Sequence, residues 1–297
     1  MPSKHQWIGA SDLARICLRY IEDFSEPPPA FAWQEPVRDE YESAFARIQN
    51  LIQQGQIDKA VPVVFARAQA KVTAVVKARW ILELLQAPLS LHVHGIWNQD
   101  EGLLGVTPEI LFDFRGRELT TMALAGTLAK EDGSANDLLR SSKDQQEHRY
   151  VVEDLRNELS RLGHVRVGPT EIKELPSLWH LHTKITAQLR DEPDVADLIN
   201  RLHPTAALGV FPRQFGWRWM AELPGQQGRG SFGAPFTVRM GSDRVRSLVA
   251  IRNLQWQGEN ILLGSGGGVV KDSRIEPEWI ELQRKRQSVL RLFGMAK

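Results

Sequence analysis

Across 297 residues there is one cysteine, Cys17, so the chain has neither a disulfide framework nor a thiolate metal site, and a reducing compartment is the default. A surplus of either charge is also missing: 37 basic residues face 36 acidic ones, and their even spread leaves no basic stripe to bind nucleic acid. The opening stretch, MPSKHQWIGASDLARICLRY, holds no apolar run long enough for a signal peptide or a spanning helix, and the expectation is a soluble cytoplasmic protein with no membrane partner. Internal repeats and low-complexity tracts are lacking too. What is present is enough chain for a large core, as two modest domains or one large one.

Clustered prolines in FSEPPPAFAWQEP enforce an extended path, so residues 1–38 are expected to form an N-terminal arm or helix with a proline-rich connection, and residues 39–297 the main domain. Within that domain DEYESAFARIQNLIQQG spaces Tyr41, Phe45, Ile48 and Leu51 at helical intervals and stops at Gly55. AVPVVFA, LSLHVHGIW, ILFDFR, ELTTMALAG, SLVAIRNLQW and NILLG read as strands. Between the fourth and fifth lie EHRYVVEDLRNELSRL, with a strong 3.6 period, and further helical stretches. The composite is an α+β fold, with large, mostly antiparallel sheets and helices on their outsides. The nine tryptophans, in a chain of neutral balance, read as packing rather than as a base-stacking platform.

GSGGGVVKDSRIEPEWIEL, residues 264–282, has the look of a phosphate loop but not its chemistry. Val269 follows Gly268 where a Walker loop needs lysine, and it also stands where the dinucleotide fingerprint needs glycine. What remains is a strand, a flexible turn and a helix on which Glu278, Glu281 and Lys285 share one face. SSKDQQEHRYVVEDL offers a second acidic pair, Asp144 and Glu147, on a helix whose apolar side is Val151, Val152, Leu155 and Leu159. Two helices that each present two carboxylates suit a hard divalent cation with oxygen ligands, magnesium above all, although each pair alone also fits a solvated helix face. His92, His94 and His182 lack a third partner at zinc-like spacing and read as core or edge histidines.

EHRYVVEDL, LAGT, GVTPEILF, LWHLHT, LHPTAALGVFP, VAIRN and GSGGGVVKDSRIEPEWIELQRKR resemble, taken together, the signature segments of the chorismate-utilising enzymes. That family comprises isochorismate synthases, salicylate synthases, anthranilate synthase large subunits and aminodeoxychorismate synthases. The resemblance runs from about residue 40 to the C-terminus. It implies an α/β sandwich of two stacked antiparallel sheets with helices outside.

The same resemblance implies the roles of individual residues. Glu147 and Glu281 match magnesium ligands, with Asp144 and Glu278 beside them. His180 matches a histidine near the departing hydroxyl, Thr205 the threonine of the HPT turn, and Arg252 the arginine that grips the enolpyruvyl carboxylate, an anion suited to a guanidinium fork. Gly126 and Thr127 match substrate contacts, Gly266 and Gly267 backbone donors to a carboxylate, and Lys285 the lysine one turn beyond the metal glutamate. Lys59 falls where isochorismate and salicylate synthases carry the lysine that activates water, and where amine-adding members usually have glutamine. Glu109 matches the acid that protonates the leaving C4 hydroxyl. Such a pair requires Lys59 below its reference pKa of roughly 10.4 and Glu109 above roughly 4.3. Ala125 replaces the lysine typical of aminodeoxychorismate synthases.

Departures from the pattern shape the rest of the expectation. Phe232 in RGSFGAPFT stands where relatives usually have a tyrosine, removing a hydroxyl from the substrate-binding wall, and Ala234 fills a glycine position. Full-length relatives carry more N-terminal residues, so an uncovered apolar face and a monomer or homodimer are expected. The activity implied is magnesium-dependent isochorismate synthase acting on chorismate, without a glutaminase subunit, for menaquinone or siderophore biosynthesis. Salicylate synthase and a chorismate-binding protein without turnover are the alternatives, and an ammonia-using synthase is the weakest.

Overall fold

The computed structural model describes residues 8–24, 26, 27, 29–226 and 228–295. Residues 1–7 of the expected arm, with Ser25 and Pro28 of the proline-rich connection, lie outside the described residues. The arm contributes α1 (Ala10–Phe24), followed by α2 (Arg38–Gln53), β1 (Lys59–Ala60), β2 (Val63–Gln69), α3 (Ala74–Leu85), β3 (His92–Trp97), β4 (Glu101–Thr107), β5 (Ile110–Arg115) and β6 (Glu118–Ala129). Next come α4 (Ala135–Arg140), α5 (Ser142–Ser160), β7 (Gly163–Glu174), β8 (Leu178–Leu189), α6 (Val195–Leu202) and β9 (Val210–Phe211). The chain closes with β10 (Pro235–Met240), β11 (Arg244–Val249), β12 (Asn253–Gln257), β13 (Asn260–Gly266) and α7 (Ile275–Leu292).

Two large antiparallel sheets organise the molecule, one six-stranded in the order β10-β11-β5-β6-β8-β7 and one five-stranded in the order β2-β13-β12-β4-β3. A two-stranded ribbon of β1 and β9, not foreseen from the sequence, makes a third. Helical spacing puts Val151, Leu155 and Leu159 of α5 on one face, and they pack with Leu198 and Leu202 of α6 against Leu119, Ala123 and Ile185 of the six-stranded sheet. Val76, Trp80 and Leu84 of α3, with Val289 of α7, similarly cover Leu104, Leu254 and Leu263 of the five-stranded sheet. α1 lies against α3. On the edge strand β3, Val93, Ile96 and Trp97 are exposed.

Two sequence expectations are corrected. The further helices expected between the fourth and fifth strands are present as α4 and α6, but the segment directly after α5 is the hairpin of β7 and β8, which was not anticipated and is paired along nearly its whole length. Its inner strand, LWHLHTKITAQL, buries Leu181, Thr183, Ile185, Ala187 and Leu189 at every second position, a period that only a strand can satisfy. The run SLVAIRNLQW is not one strand. β11 ends at Val249 in the six-stranded sheet and β12 begins at Asn253 in the five-stranded sheet. At the crossing Arg252 adopts φ 52°, a left-handed conformation that costs a non-glycine residue about 1–3 kcal/mol. Strain of that kind at an arginine facing a cavity marks the place to look for function.

Candidate active site between the two sheets

The crossing opens into a cavity between the two sheets. Gly264, Ser265 and Gly266 of β13 form one wall, and Leu124 to Thr127 of β6 with His180 of β8 form the other. Gly126, φ 75°, is the bulge residue between Ala125 and Thr127 in the pairing of β6 with β8. The bulge sets Thr127 opposite His180 and lets the start of α5 approach, since a Cβ on Gly126 would lie 3.2 Å from Asp144 Cβ.

Arg252, Thr127 and His180 form a hydrogen-bonded chain. Arg252 Nη2 donates to His180 Nε2 at 2.7 Å, and His180 Nδ1 lies 3.0 Å from Thr127 Oγ1. A guanidinium cannot accept, so Nε2 must, and the neutral ring carries its proton on Nδ1. Burial, reinforced by the charge of Arg252, holds His180 well below the usual histidine range. Both ring nitrogens therefore have partners, and His180 braces Arg252. Arg252 Nη1 is buried without a partner, a donor awaiting an anion.

Two buried titratable groups complete this part of the site. Glu109 lines the cavity and is 4% exposed; burial raises its carboxyl to about 7 against the pull of Lys59, Lys173, Lys285 and Arg252. Lys59 is wholly buried, and the loss of hydration lowers its pKa although Glu147 Oε1, 3.2 Å away, favours the charged form. Lys173 was not singled out in the sequence; its Nζ donates to the carbonyl of Pro108 at 3.0 Å, beside Glu109.

The acidic helices meet at the far end. Glu147 is buried on α5 and Glu278 on α7; Glu281 pairs with Lys285 at 2.6 Å. Burial alone would raise Glu147, but Lys59, Lys143 and Lys285 outweigh it and hold the carboxyl down. Glu278 is raised to about 7, first by burial and then, against Lys143, by its acidic neighbours. One oxygen, Oε1, accepts from Ser273 Oγ at 2.7 Å, whereas Oε2 is buried with no partner. Gly268 is required by close approach: a Cβ there would stand 2.1 Å from Glu147 Oε1 and 2.5 Å from Lys59 Cε. Among the described residues, no three acidic, histidine or cysteine side chains converge closely enough to form a ready metal centre. All-carboxylate donors and the orphaned Glu278 oxygen nevertheless fit a hard cation in kind, and ammonium groups answer these charges in the structure.

Of the residues picked from the sequence, Glu109, Gly126, Thr127, Glu147, His180, Phe232, Arg252, Gly266 and Lys285 line the cavity. Lys59 packs against Gly268, which also lines it. Asp144, Glu278 and Glu281 stand beyond the lining, around Lys143 and Lys285. Phe232 closes a wall edge-on to Phe65, with ring centroids 5.8 Å apart. Thr205 is buried behind the wall, where its Oγ1 accepts from Ala207 N at 3.2 Å; Ala207 and Leu208 reach the cavity instead. The turn carrying it is held by Asp154, which accepts from Ala206 N and bridges to Arg213 at 2.7 Å, a brace the sequence did not suggest. Gly267 N–H is spent on Pro62 O at 3.4 Å, which removes that backbone donor from a carboxylate, while Gly266 O accepts from Lys285 at 2.9 Å.

Comparison with known proteins gives the family. The family described as chorismate binding enzyme matches residues 6–291, so the relationship extends through α1 rather than starting near residue 40. The salicylate biosynthesis isochorismate synthase of Pseudomonas aeruginosa is 30% identical over 267 residues, 87% of this chain and 54% of that protein. Isochorismate synthase EntC of Escherichia coli K12 is 31% identical over 273 residues, 88% of this chain and 68% of that protein. This chain thus spans about half to two thirds of these curated relatives. In fold it resembles MenF, the menaquinone-specific isochorismate synthase of Escherichia coli (TM-score 0.76, 22% identity, 93% of this chain and 68% of that one). It also resembles anthranilate synthase component I of Streptococcus pneumoniae (TM-score 0.76, 20% identity, 97% and 67%). Sequence match, fold and the placement of the motifs around one cavity together identify the chain as a member of the chorismate-binding enzyme family.

Proposed function

We propose that the protein is a magnesium-dependent isochorismate synthase. The observation that carries this reading is a wholly buried lysine, Lys59, packed behind Gly268 of the cavity wall, beside a cavity that a buried carboxylic acid, Glu109, lines, their proton affinities displaced toward each other. Arg252 holds the enolpyruvyl carboxylate through its free Nη1, steadied by His180. Neutral Lys59 takes a proton from water as the water oxygen bonds to C2. The ring double bonds shift, the C4–O bond breaks, and Glu109 gives its proton to the departing hydroxyl, which leaves as water. Lys59 ends protonated and Glu109 ionised; proton exchange with solvent resets both. Glu147 and Glu281, with Asp144 and Glu278 beside them, would hold a magnesium ion, which would supply neutralisation of the ring carboxylate and withdrawal of electron density.

Turnover in H2(18)O is expected to give isochorismate carrying one heavy oxygen, read by mass spectrometry. An unlabelled product would mean that the hydroxyl migrates without water and would overturn the roles of Lys59 and Glu109. Salicylate with pyruvate would move the assignment to a salicylate synthase.

The pH dependence has a definite sign. Glu109 must be protonated to act, so kcat/KM falls as pH rises through the carboxyl's pKa, about 7 in the free enzyme. Lys59 must be neutral, so activity also falls as pH drops below its lowered pKa. Lys173→Met removes a cation that pulls Glu109 down, and the alkaline limb is expected to move to higher pH. A limb that stays in place, or moves down, contradicts the assignment of that limb to Glu109.

A further inference from the structure

Lys143 is the second residue of α5, an awkward place for a cation, because the positive end of the helix dipole lies there. Its i,i+4 partner Glu147 follows it in the chain, the weaker of the two orders for such a pair. Helix stability therefore does not explain the lysine. Its contacts do: Nζ lies 2.9 Å from Glu278 Oε1 on α7, 3.4 Å from Glu147 Oε2 and 3.5 Å from Asp144 Oδ1. The side chain is only 20% exposed, and those of its partners are 3%, 7% and 15%.

The other ammonium groups here serve one carboxylate each. Lys285 takes Glu281 at 2.6 Å and Lys59 takes Glu147 Oε1 at 3.2 Å. Lys143 alone joins the acids of both helices, and it does so loosely, with two of its three contacts beyond 3.3 Å and Glu278 Oε2 left without a partner. A compact divalent ion would satisfy more of these oxygens with more charge.

We propose that Lys143 is a built-in counter-cation of the carboxylate cluster, and that a divalent cation is bound by displacing its ammonium from Glu278, Glu147 and Asp144. The lysine keeps α5 and α7 from repelling each other before metal arrives, and it weakens metal binding by competing for the same oxygens. This rests on the magnesium part of the function proposed above.

Calorimetry of Mg²⁺ binding to the wild-type protein comes first; no binding overturns both that reading and this one. If the wild type binds, Lys143→Met is expected to bind Mg²⁺ about tenfold more tightly, to melt at a lower temperature in EDTA, and to gain more in melting temperature on adding Mg²⁺. Lys143→Arg, which keeps the charge, should stay near the wild-type affinity. Equal or weaker affinity in Lys143→Met, beside a wild type that binds, overturns the displacement while leaving the metal-dependent reading standing. Should Lys143→Met fail to fold, amine acylation of the wild type with peptide mass spectrometry decides. Lys143 should label faster in saturating Mg²⁺ than in EDTA, with Lys173 as the unchanged reference, and an unaltered Lys143 rate overturns the inference.

Discussion

Lys59→Met is expected to lower kcat by about 10²–10⁴-fold, the range of a general base, while chorismate and Mg²⁺ still bind with near wild-type affinity in calorimetry. Lys59 is 0% exposed, and methionine preserves an unbranched chain of similar volume while removing the cost of a dehydrated ammonium. Glu147 loses a neighbour at 3.2 Å that is neutral in its acting form and retains Lys143, so the acidic cluster keeps its charge and shape. If binding is lost along with turnover, Lys59 holds the site together and is not the base.

Gly268→Ala is expected to separate stability from activity more sharply than any change to a charged residue. Its added methyl would meet Glu147 Oε1 at 2.1 Å and Lys59 Cε at 2.5 Å, the movable far ends of two side chains rather than backbone. Gly268 has no left-handed φ to defend, so the fold can accept alanine once these groups shift. The groups that must shift are the proposed base and a proposed magnesium ligand. Displacements of about 1 Å in reacting groups cost roughly 10²-fold, so kcat should fall by at least about that factor while the melting temperature drops only a few degrees. An active Gly268→Ala enzyme would mean that Lys59 and Glu147 are not held where the chemistry needs them.

Legibility in the sequence followed the strength of local periodicity. Tyr41 and Ile48 are buried on α2, and Gly55 follows it at φ 68°, as the spacing and the glycine require. ILFDFR is β5 residue for residue. Both acidic pairs could be placed on helices because positions three apart share a face. What local pattern cannot reveal is which helix faces which. Lys143 sits among polar residues and reads as solvated surface until the fold sets Glu278 of α7 2.9 Å from it. Lys59 was set apart from an ordinary surface lysine only by resemblance, since its burial depends on Gly268, sequence-distant by more than two hundred residues. The hairpin of β7 and β8 was missed because its outer strand, GHVRVGPTEIKE, is largely exposed and gives no apolar alternation to read. The break at Arg252 was hidden inside SLVAIRNLQW, where two strands of different sheets abut in one hydrophobic run. An alternating pattern carries no mark of which sheet it joins.

The central claim is that this cavity adds water to chorismate with the help of magnesium. Its most direct test is to incubate chorismate with the purified protein, with and without Mg²⁺ and with and without ammonium, and to separate the products by chromatography with mass detection. The account predicts a product of unchanged mass and altered retention that forms only with Mg²⁺ and is indifferent to ammonium. An aminated product, or chorismate left unconsumed by folded protein that binds it, would contradict the account.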